Sequence, residues 1–564
     1  MGSGKIQEII ATPRTGVPAT LIFLTFTLTA SLLTYPLPFH LLTHIPQGSE
    51  GVGTVPLLNL WTLQWNIKQL ILGYPNYWDA PIFTPQPGTF AFSESQPLSG
   101  LLAAPLWLSS GSPALAYNAV VVLFLGLNGW FAYWLMRHWA VSRGPALITG
   151  LLVQALPFVA QELGVLQLIA IFGVLWSLLF LGLFFRASQV SHQRWRRIVG
   201  LVLGTPVTFF TCGYYGLFSL FFLPLAFLTY RPWPRLSRRG WSQLGVAALL
   251  IVALTGPPLL SQQQRLTQLG FKRNAETIQF NSGELRHYTN FLDYNLLYGQ
   301  LLGVEPGAGQ RLFPGVGLLL LAGLGLVTMR QAYLRIYLLA AMVLALMLSL
   351  GLRLSIFGVQ PYQWVRDVIP GFAQLRSPFR FAVFVQLHLA LLAGFGLNAV
   401  WHRLPRGRDA LFVGLASLTL FEMLALPLPL QPVPVVEQPA EWQAWLNQQP
   451  ASPQIVILPF AAENGVAHFE QTTRWMLANY NLEGAMLNGY SGFFPPGYGR
   501  IQEQMVAFPN EAAIQTLQAH SIDFVVVHEQ LPDAPLPQEM GAWLKPVFRD
   551  DHDDVSIYEV REPE

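Results

Sequence analysis

About eleven stretches of the chain are apolar almost without interruption: 17–38, 113–136, 145–161, 164–185, 198–213, 214–230, 243–260, 313–329, 335–352, 379–401 and 409–427. Each is long enough, or nearly so, to cross a hydrocarbon core, which takes about 20 apolar residues. The least defined boundary is the one at Thr211-Cys212-Gly213-Tyr214. Two kinds of connection join the stretches. One kind is short and rich in arginine; the other is long and mixed, at about 39–112, 261–312 and 353–378, with a tail from 430 onward. This pattern predicts an α-helical polytopic membrane protein over 1–429 with about 11 transmembrane helices, followed by a soluble α/β domain over 430–564. In the tail, Ile455–Leu458, Phe524–Val527 and Val555–Tyr558 read as strands, and Glu441–Gln448 and Glu511–His520 as helices. In the first long loop, Leu57–Ile71 has helical apolar periodicity, with Trp61 and Trp65 placed as for a helix lying in the membrane interface.

The first apolar stretch outruns the core of a signal peptide. It ends in Tyr35-Pro36-Leu37-Pro38-Phe39 without a clear small-residue cleavage site, so it reads as a retained span, the alternative being cleavage after about Ala30.

Composition agrees. Hydrophobic residues make up 52% of the 564 positions, charged ones only 11%, and the mean hydropathy is +0.41; an average soluble domain is about 25% charged. The one cysteine, Cys212, excludes a disulfide framework and a thiolate zinc site. The net charge of +2 becomes informative once it is sorted by side. Lys5, Arg14, Arg137, Arg143, Arg186, Arg194, Arg196, Arg197, Arg231, Arg235, Arg238, Arg239, Arg330, Arg335, Arg403, Arg406 and Arg408 all fall at the short connections. They are just over half of the 32 basic residues, with only Glu8 and Asp409 among them. Positive charge stays inside, which puts the N-terminus in the cytoplasm and the long loops and tail on the outer face.

The chemistry must then lie on the acidic, outer side. Glu50, Asp79 and Glu94 sit in the first long loop and Glu162 in the next outer turn. A carboxylate at a span boundary is costly unless it faces a polar cavity, a partner or headgroup water. Asp79 also suits a turn or cap, Glu94 a cap ahead of the apolar run at 98–108, and Glu50 an ordinary solvated loop. Arg376 and Arg380 bracket Ser377-Pro378-Phe379 at an outer membrane mouth, where a guanidinium binds phosphate bidentately or snorkels to headgroups. Lys272, Arg273, Arg286 and His287 lie in the second loop. Asp550-Asp551-His552-Asp553-Asp554 imitates a metal cluster but reads as a solvated hairpin turn, and Gly315-Val316-Gly317 as small-residue helix packing. Walker, HExxH and GxSxG motifs are absent, and nothing points to nucleic acid.

Several segments resemble a bacterial family of polytopic membrane proteins related to the GT-C class (family 39-like) glycosyltransferases. They are Pro56-Leu57-Leu58-Asn59-Leu60-Trp61, Ala80-Pro81-Ile82-Phe83-Thr84-Pro85, Phe92-Ser93-Glu94, Leu115-Ala116-Tyr117-Asn118, Arg376-Ser377-Pro378-Phe379-Arg380-Phe381, Asn488-Gly489-Tyr490-Ser491-Gly492-Phe493 and Phe524-Val525-Val526-Val527-His528. The resemblance implies a transferase of the bacterial cytoplasmic (inner) membrane. It would move a sugar from a polyprenyl-phosphate donor to a glycan, lipid or protein acceptor on the outer face. It implies an acidic base in the first outer loop and a second carboxylate near the third and fourth spans, a position Glu162 matches. Where similar sequences carry Gly-Asp ahead of Pro-Leu-Leu-Asn, this chain has Thr54-Val55, so Glu50 is the candidate base. On this reading Asp79 and Glu94 are supporting carboxylates, Arg376, Arg380 and Arg286 contact the donor phosphate, and Asn488 and Tyr490 face the acceptor. A divalent metal ion, if used, would be held by Asp79, Glu94 and His287. The departure at Thr54-Val55 keeps open a non-catalytic scaffold binding lipid or glycan. A transporter is disfavoured by the near absence of charge within the spans and of half-to-half symmetry.

Overall fold

The apolar stretches fold as helices. Their arrangement is seen in a computed structural model that describes residues 18–186, 191–230, 236–302, 309–403, 408–434, 440–450, 452–528 and 543–561. Lys5, Glu8, Arg14, Arg231, Arg235 and Arg406 lie outside the described residues. In chain order come α1 (Ala19–Leu33), β1 (His44–Pro46), α2 (Thr54–Leu72), α3 (Pro97–Ser110), α4 (Pro113–His138), α5 (Arg143–Gln154), α6 (Pro157–Gln161), α7 (Phe172–Arg186), α8 (Ser191–Thr211), α9 (Gly213–Thr229) and α10 (Arg238–Gln268). The second long loop holds α11 (Ala275–Phe280) and α12 (Tyr298–Leu302). Then follow α13 (Val316–Thr328), α14 (Ala332–Ser349), α15 (Pro361–Val368), α16 (Ala382–Arg403) and α17 (Arg408–Met423). The C-terminal part runs β2 (Leu430–Pro432), α18 (Glu441–Asn447), β3 (Gln454–Leu458), α19 (Glu470–Ala478), β4 (Ala485–Met486), α20 (Tyr498–Val506), α21 (Glu511–Ala519), β5 (Phe524–His528), β6 (Leu544–Asp550) and β7 (Val555–Val560).

The eleven expected spans correspond to α1, α4, α5–α6, α7, α8, α9, α10, α13, α14, α16 and α17. The uncertain boundary resolves at Cys212, whose extended backbone separates α8 from α9. Pro157 divides α5 from α6, because a proline disfavours helical backbone in the residue before it.

A helix apolar on all sides belongs in the middle of a bundle or against lipid, and both cases occur. Helix α16 is buried on nearly every side, whereas the apolar part of α10 is largely uncovered by protein and suits lipid contact. Close packing around α16 relies on small residues: a side chain on Gly396 would collide with the Leu321 carbonyl of α13, and one on Gly325 with that of Leu392. Glu422 caps α13, accepting from the amides of Val316 and Gly317 and from the Tyr298 hydroxyl.

The tail forms a five-stranded sheet in the order β4-β3-β5-β7-β6, parallel from β4 to β5 and antiparallel beyond. The expected strands and helices are all present. The aspartate run is the β6–β7 turn, where Asp550 accepts from the amides of His552 and Asp553. Leu430–Pro432, expected at the start of the tail domain, pairs instead with β1 of the first loop. The first loop also extends the sheet edge, with Ile82 bridging Met486.

One expectation needs correction. The first-loop helix does not lie on the interface with a lipid-facing tryptophan stripe. It is α2, with Trp61 and Trp65 only 6% and 7% exposed, packed on α3 and covered by α19. Its polar residues Asn59, Thr62, Gln64, Asn66 and Gln69 are buried too, so the tail domain, not lipid, takes its outer face.

Candidate functional site

Glu50 reaches the site through two glycines. Gly48 sits at φ +61°, where a side chain would come 2.6 Å from the Gln161 carbonyl oxygen, and Gly164 leaves no room for one against the Gln47 carbonyl. The two turns therefore touch backbone to backbone. Ser49 donates to the Gln161 carbonyl through its amide (2.9 Å) and its hydroxyl (3.1 Å). That contact sets Glu50 beside Glu162 at the end of α6, where Gln161 Nε2 donates to Glu162 Oε1 at 2.7 Å. Glu162 is buried, 6% exposed. Burial, reinforced by the negative charge of Glu162, raises the Glu50 carboxyl to about 7 against the opposing pull of Arg376 and Arg380.

Arg376 and Arg380 also face a cavity of about 210 Å³ at the loop side of the bundle. Its polar and charged lining includes Glu94, Gln167, Arg273, Arg376, Arg380 and Tyr490; its apolar lining includes Phe209, Phe210, Leu217, Leu259 and Leu266 from α8, α9 and α10. Glu94 is half-buried. Its Oε1 accepts from the Tyr214 amide at 2.9 Å, and its Oε2 has no protein partner. Burial pushes its carboxyl up, opposed chiefly by Arg380. The Arg380 guanidinium lies 4.3 Å from the centroid of the Tyr214 ring, and its Nε is likewise unpartnered. Three guanidinium groups thus line one cavity together with one carboxyl group and with aliphatic and aromatic side chains.

Of the residues expected from the sequence, Glu50, Glu162, Arg376 and Arg380 lie within one another's fields. Glu94 and Tyr490 line the cavity, but Glu50 and Glu162 do not. The others lie elsewhere. Asp79 is exposed and accepts from the Gly88 amide at 2.7 Å as a turn residue. Arg286 is exposed and paired with Glu284 at 2.5 Å. His287 accepts from the Glu284 amide through Nδ1 at 3.1 Å. The Asn488 side chain is consumed by β3, accepting from Ile457 N (2.7 Å) and donating to its carbonyl (2.8 Å). Asp79, Glu94 and His287 are therefore not brought together, and among the described residues no three His, Cys, Asp or Glu side chains are grouped to hold a metal ion.

The second-loop cation that does reach the cavity is Arg273. Its guanidinium lies 3.7 Å from the Phe493 centroid and donates to the Gly492 carbonyl. Burial first, then the charge of Arg376, lowers it to about 10. The sequence reading chose Arg286 from this loop for the donor phosphate; the structure instead pairs Arg286 with Glu284 at the surface and brings Arg273 to the cavity. The distinguishing signal, Phe493, lies far away in the tail.

No family model matches the sequence, and no curated protein matches it. Solved structures do. The oligosaccharyltransferase of Archaeoglobus fulgidus, tethered with an acceptor peptide, superposes with a TM-score of 0.51 at 12% identity, over 96% of this chain and 74% of that one. ArnT from Cupriavidus metallidurans aligns over 96% of this chain and 98% of its own at 13% identity, with TM-scores of 0.48 in the apo state and 0.49 bound to undecaprenyl phosphate. The chain is a polytopic membrane protein with a GT-C-like fold and a C-terminal α/β region.

Proposed function

We propose that the chain is a membrane glycosyltransferase. It transfers a sugar from a polyprenyl-phosphate-linked donor to an acceptor hydroxyl on the outer face of a bacterial cytoplasmic membrane, with its N-terminus inside. The observation that carries this reading is the cavity. Arg273, Arg376 and Arg380 meet an apolar wall beside the Glu50–Glu162 pair, a combination suited to a phosphate attached to a long hydrocarbon. The GT-C-like fold supports glycosyl transfer as the general kind of activity.

In the reaction, the acceptor oxygen bonds to the anomeric carbon, the carbon–oxygen bond to phosphate breaks, and the acceptor proton passes to Glu50. A base titrating near 7 is matched to that task. The arginines stabilise the charge that grows on the departing phosphate, Glu162 holds Glu50 in its partly protonated range, and Tyr490 stands on the acceptor side. No step is routed through a metal ion, because the side chains that would hold one are apart.

One observation favours a second reading, a scaffold that binds lipid or glycan without transfer: Glu50 and Glu162 stand outside the main cavity. Purified protein given a panel of polyprenyl-phosphate sugars separates the two. Transfer lost in Glu50→Gln supports Glu50 as base; transfer kept in Glu50→Gln but lost in Glu94→Gln moves the base to the cavity carboxylate. Donor binding with no transfer in the wild type supports the scaffold.

A further inference from the structure

Arg273 and Arg376 are like charges, both half-buried, brought into one cavity, an arrangement that repels unless something holds the guanidinium in place. The Arg273 backbone is anchored by the third loop: its amide donates to the Ala373 carbonyl at 3.0 Å, and its carbonyl accepts from Arg366 at 2.7 Å. The side chain is held by the tail. It lies over the Phe493 ring, donates to the Gly492 carbonyl, and leaves its buried Nε without a protein partner. Phe493 is itself fixed, stacking on Phe271 at 4.7 Å with the rings 5° from parallel. Gly492 is pressed against the first loop, where a side chain would come 2.6 Å from the Phe92 carbonyl oxygen.

We infer that Phe493 is a positioning residue: it holds Arg273 in the cavity for the donor phosphate, which makes the docked tail domain part of the donor site as well as a cover on the acceptor side. The inference rests on the glycosyltransferase reading. A guanidinium is attracted to the face of an aromatic ring, and an arginine kept in place before the phosphate arrives loses less freedom on binding it. Lysine is a poorer replacement, because its ammonium can sit over a ring but lacks the planar face that stacks and the fork that grips phosphate bidentately.

The test measures binding of undecaprenyl phosphate to the full-length purified chain, together with donor KM and kcat. Phe493→Leu is expected to weaken binding and raise donor KM about tenfold, with acceptor KM and melting temperature near wild type; Arg273→Lys is expected to weaken binding likewise and to lower kcat as well, because Arg273 also faces the departing phosphate. Phe493→Trp, which keeps the ring face, is expected to restore wild-type values. Phe493→Leu with unchanged donor affinity overturns this inference while leaving the transferase reading intact. A fall in Phe493→Leu that comes with a lowered melting temperature and no rescue by Phe493→Trp overturns it in favour of a packing role. A wild-type chain that binds no polyprenyl phosphate overturns the transferase reading and this inference with it.

Discussion

Glu50 has two measurable properties that follow from one cause. Its carboxyl is raised to about 7 by burial and by Glu162, so the basic form fills as pH rises through neutrality, and kcat/KM should rise with it and level off above pH 8. Stability runs the other way. The folded state holds the proton more tightly than the unfolded one, so the stabilisation is complete below the unfolded carboxylate value and is lost as pH rises through about 7. Glu50→Gln should therefore raise the melting temperature at pH 8 and leave it nearly unchanged at pH 4, read by thermal unfolding in detergent. An equal effect at both pH values would mean that Glu50 is not titrating in this range. Residue type alone flagged the carboxylates and the arginine pair at 376 and 380, but it could not separate Asp79, spent on a turn, from Glu94, which lines the cavity. Both are acidic residues in one loop, and only the backbone amides that come to meet them, Gly88 for one and Tyr214 for the other, decide their roles.

At the scale of elements, helices were legible wherever lipid or the bundle core imposes a long apolar run, and α2 shows where that logic stops. Its aromatic spacing reads equally well for a membrane surface or a domain surface, and the covering partner α19 lies about 400 residues further along the chain. That cover also anchors the loop that carries Glu50. Glu470 accepts from the Gly53 amide at 3.0 Å and from Arg474 at 2.8 Å, and Thr54 donates to the Val466 carbonyl at 2.7 Å, so the first turn of α2 is fixed three residues beyond Glu50. Glu470→Gln weakens a charge-assisted bond and should lower kcat several-fold with donor KM unchanged. The glycine contact is less forgiving. Gly48→Ala forces a left-handed backbone and a clash with the Gln161 carbonyl, and the resulting shift of Glu50 should cost of order 10²-fold in kcat while undecaprenyl phosphate still binds. Loss of binding instead would show that this turn supports the cavity and not the base.

For the whole molecule, charge sorted by side carried most of the architecture. The short connections join α4 to α5, α7 to α8, α9 to α10, α13 to α14 and α16 to α17, and the arginine-rich segments of the sequence fall at these connections, the side expected to face the cytoplasm. Single cysteines introduced in a Cys212→Ser background should be labelled by an impermeant thiol reagent from outside at Gly497 and only after permeabilisation at Arg239. The reverse pattern would invert the proposed orientation. The interlock of first loop, second loop and tail was not legible, because it is made of contacts such as Ile82 with Met486 and Arg273 with Phe493 that no local pattern encodes. The central claim, transfer from a lipid-linked sugar with Glu50 as base, is tested most directly by following release of polyprenyl phosphate from a panel of donors by wild-type and Glu50→Gln protein in liposomes. Release from at least one donor is expected, with a fall of about 10²- to 10⁴-fold in the variant; full release by Glu50→Gln and Glu162→Gln alike would show that neither carboxylate is the base.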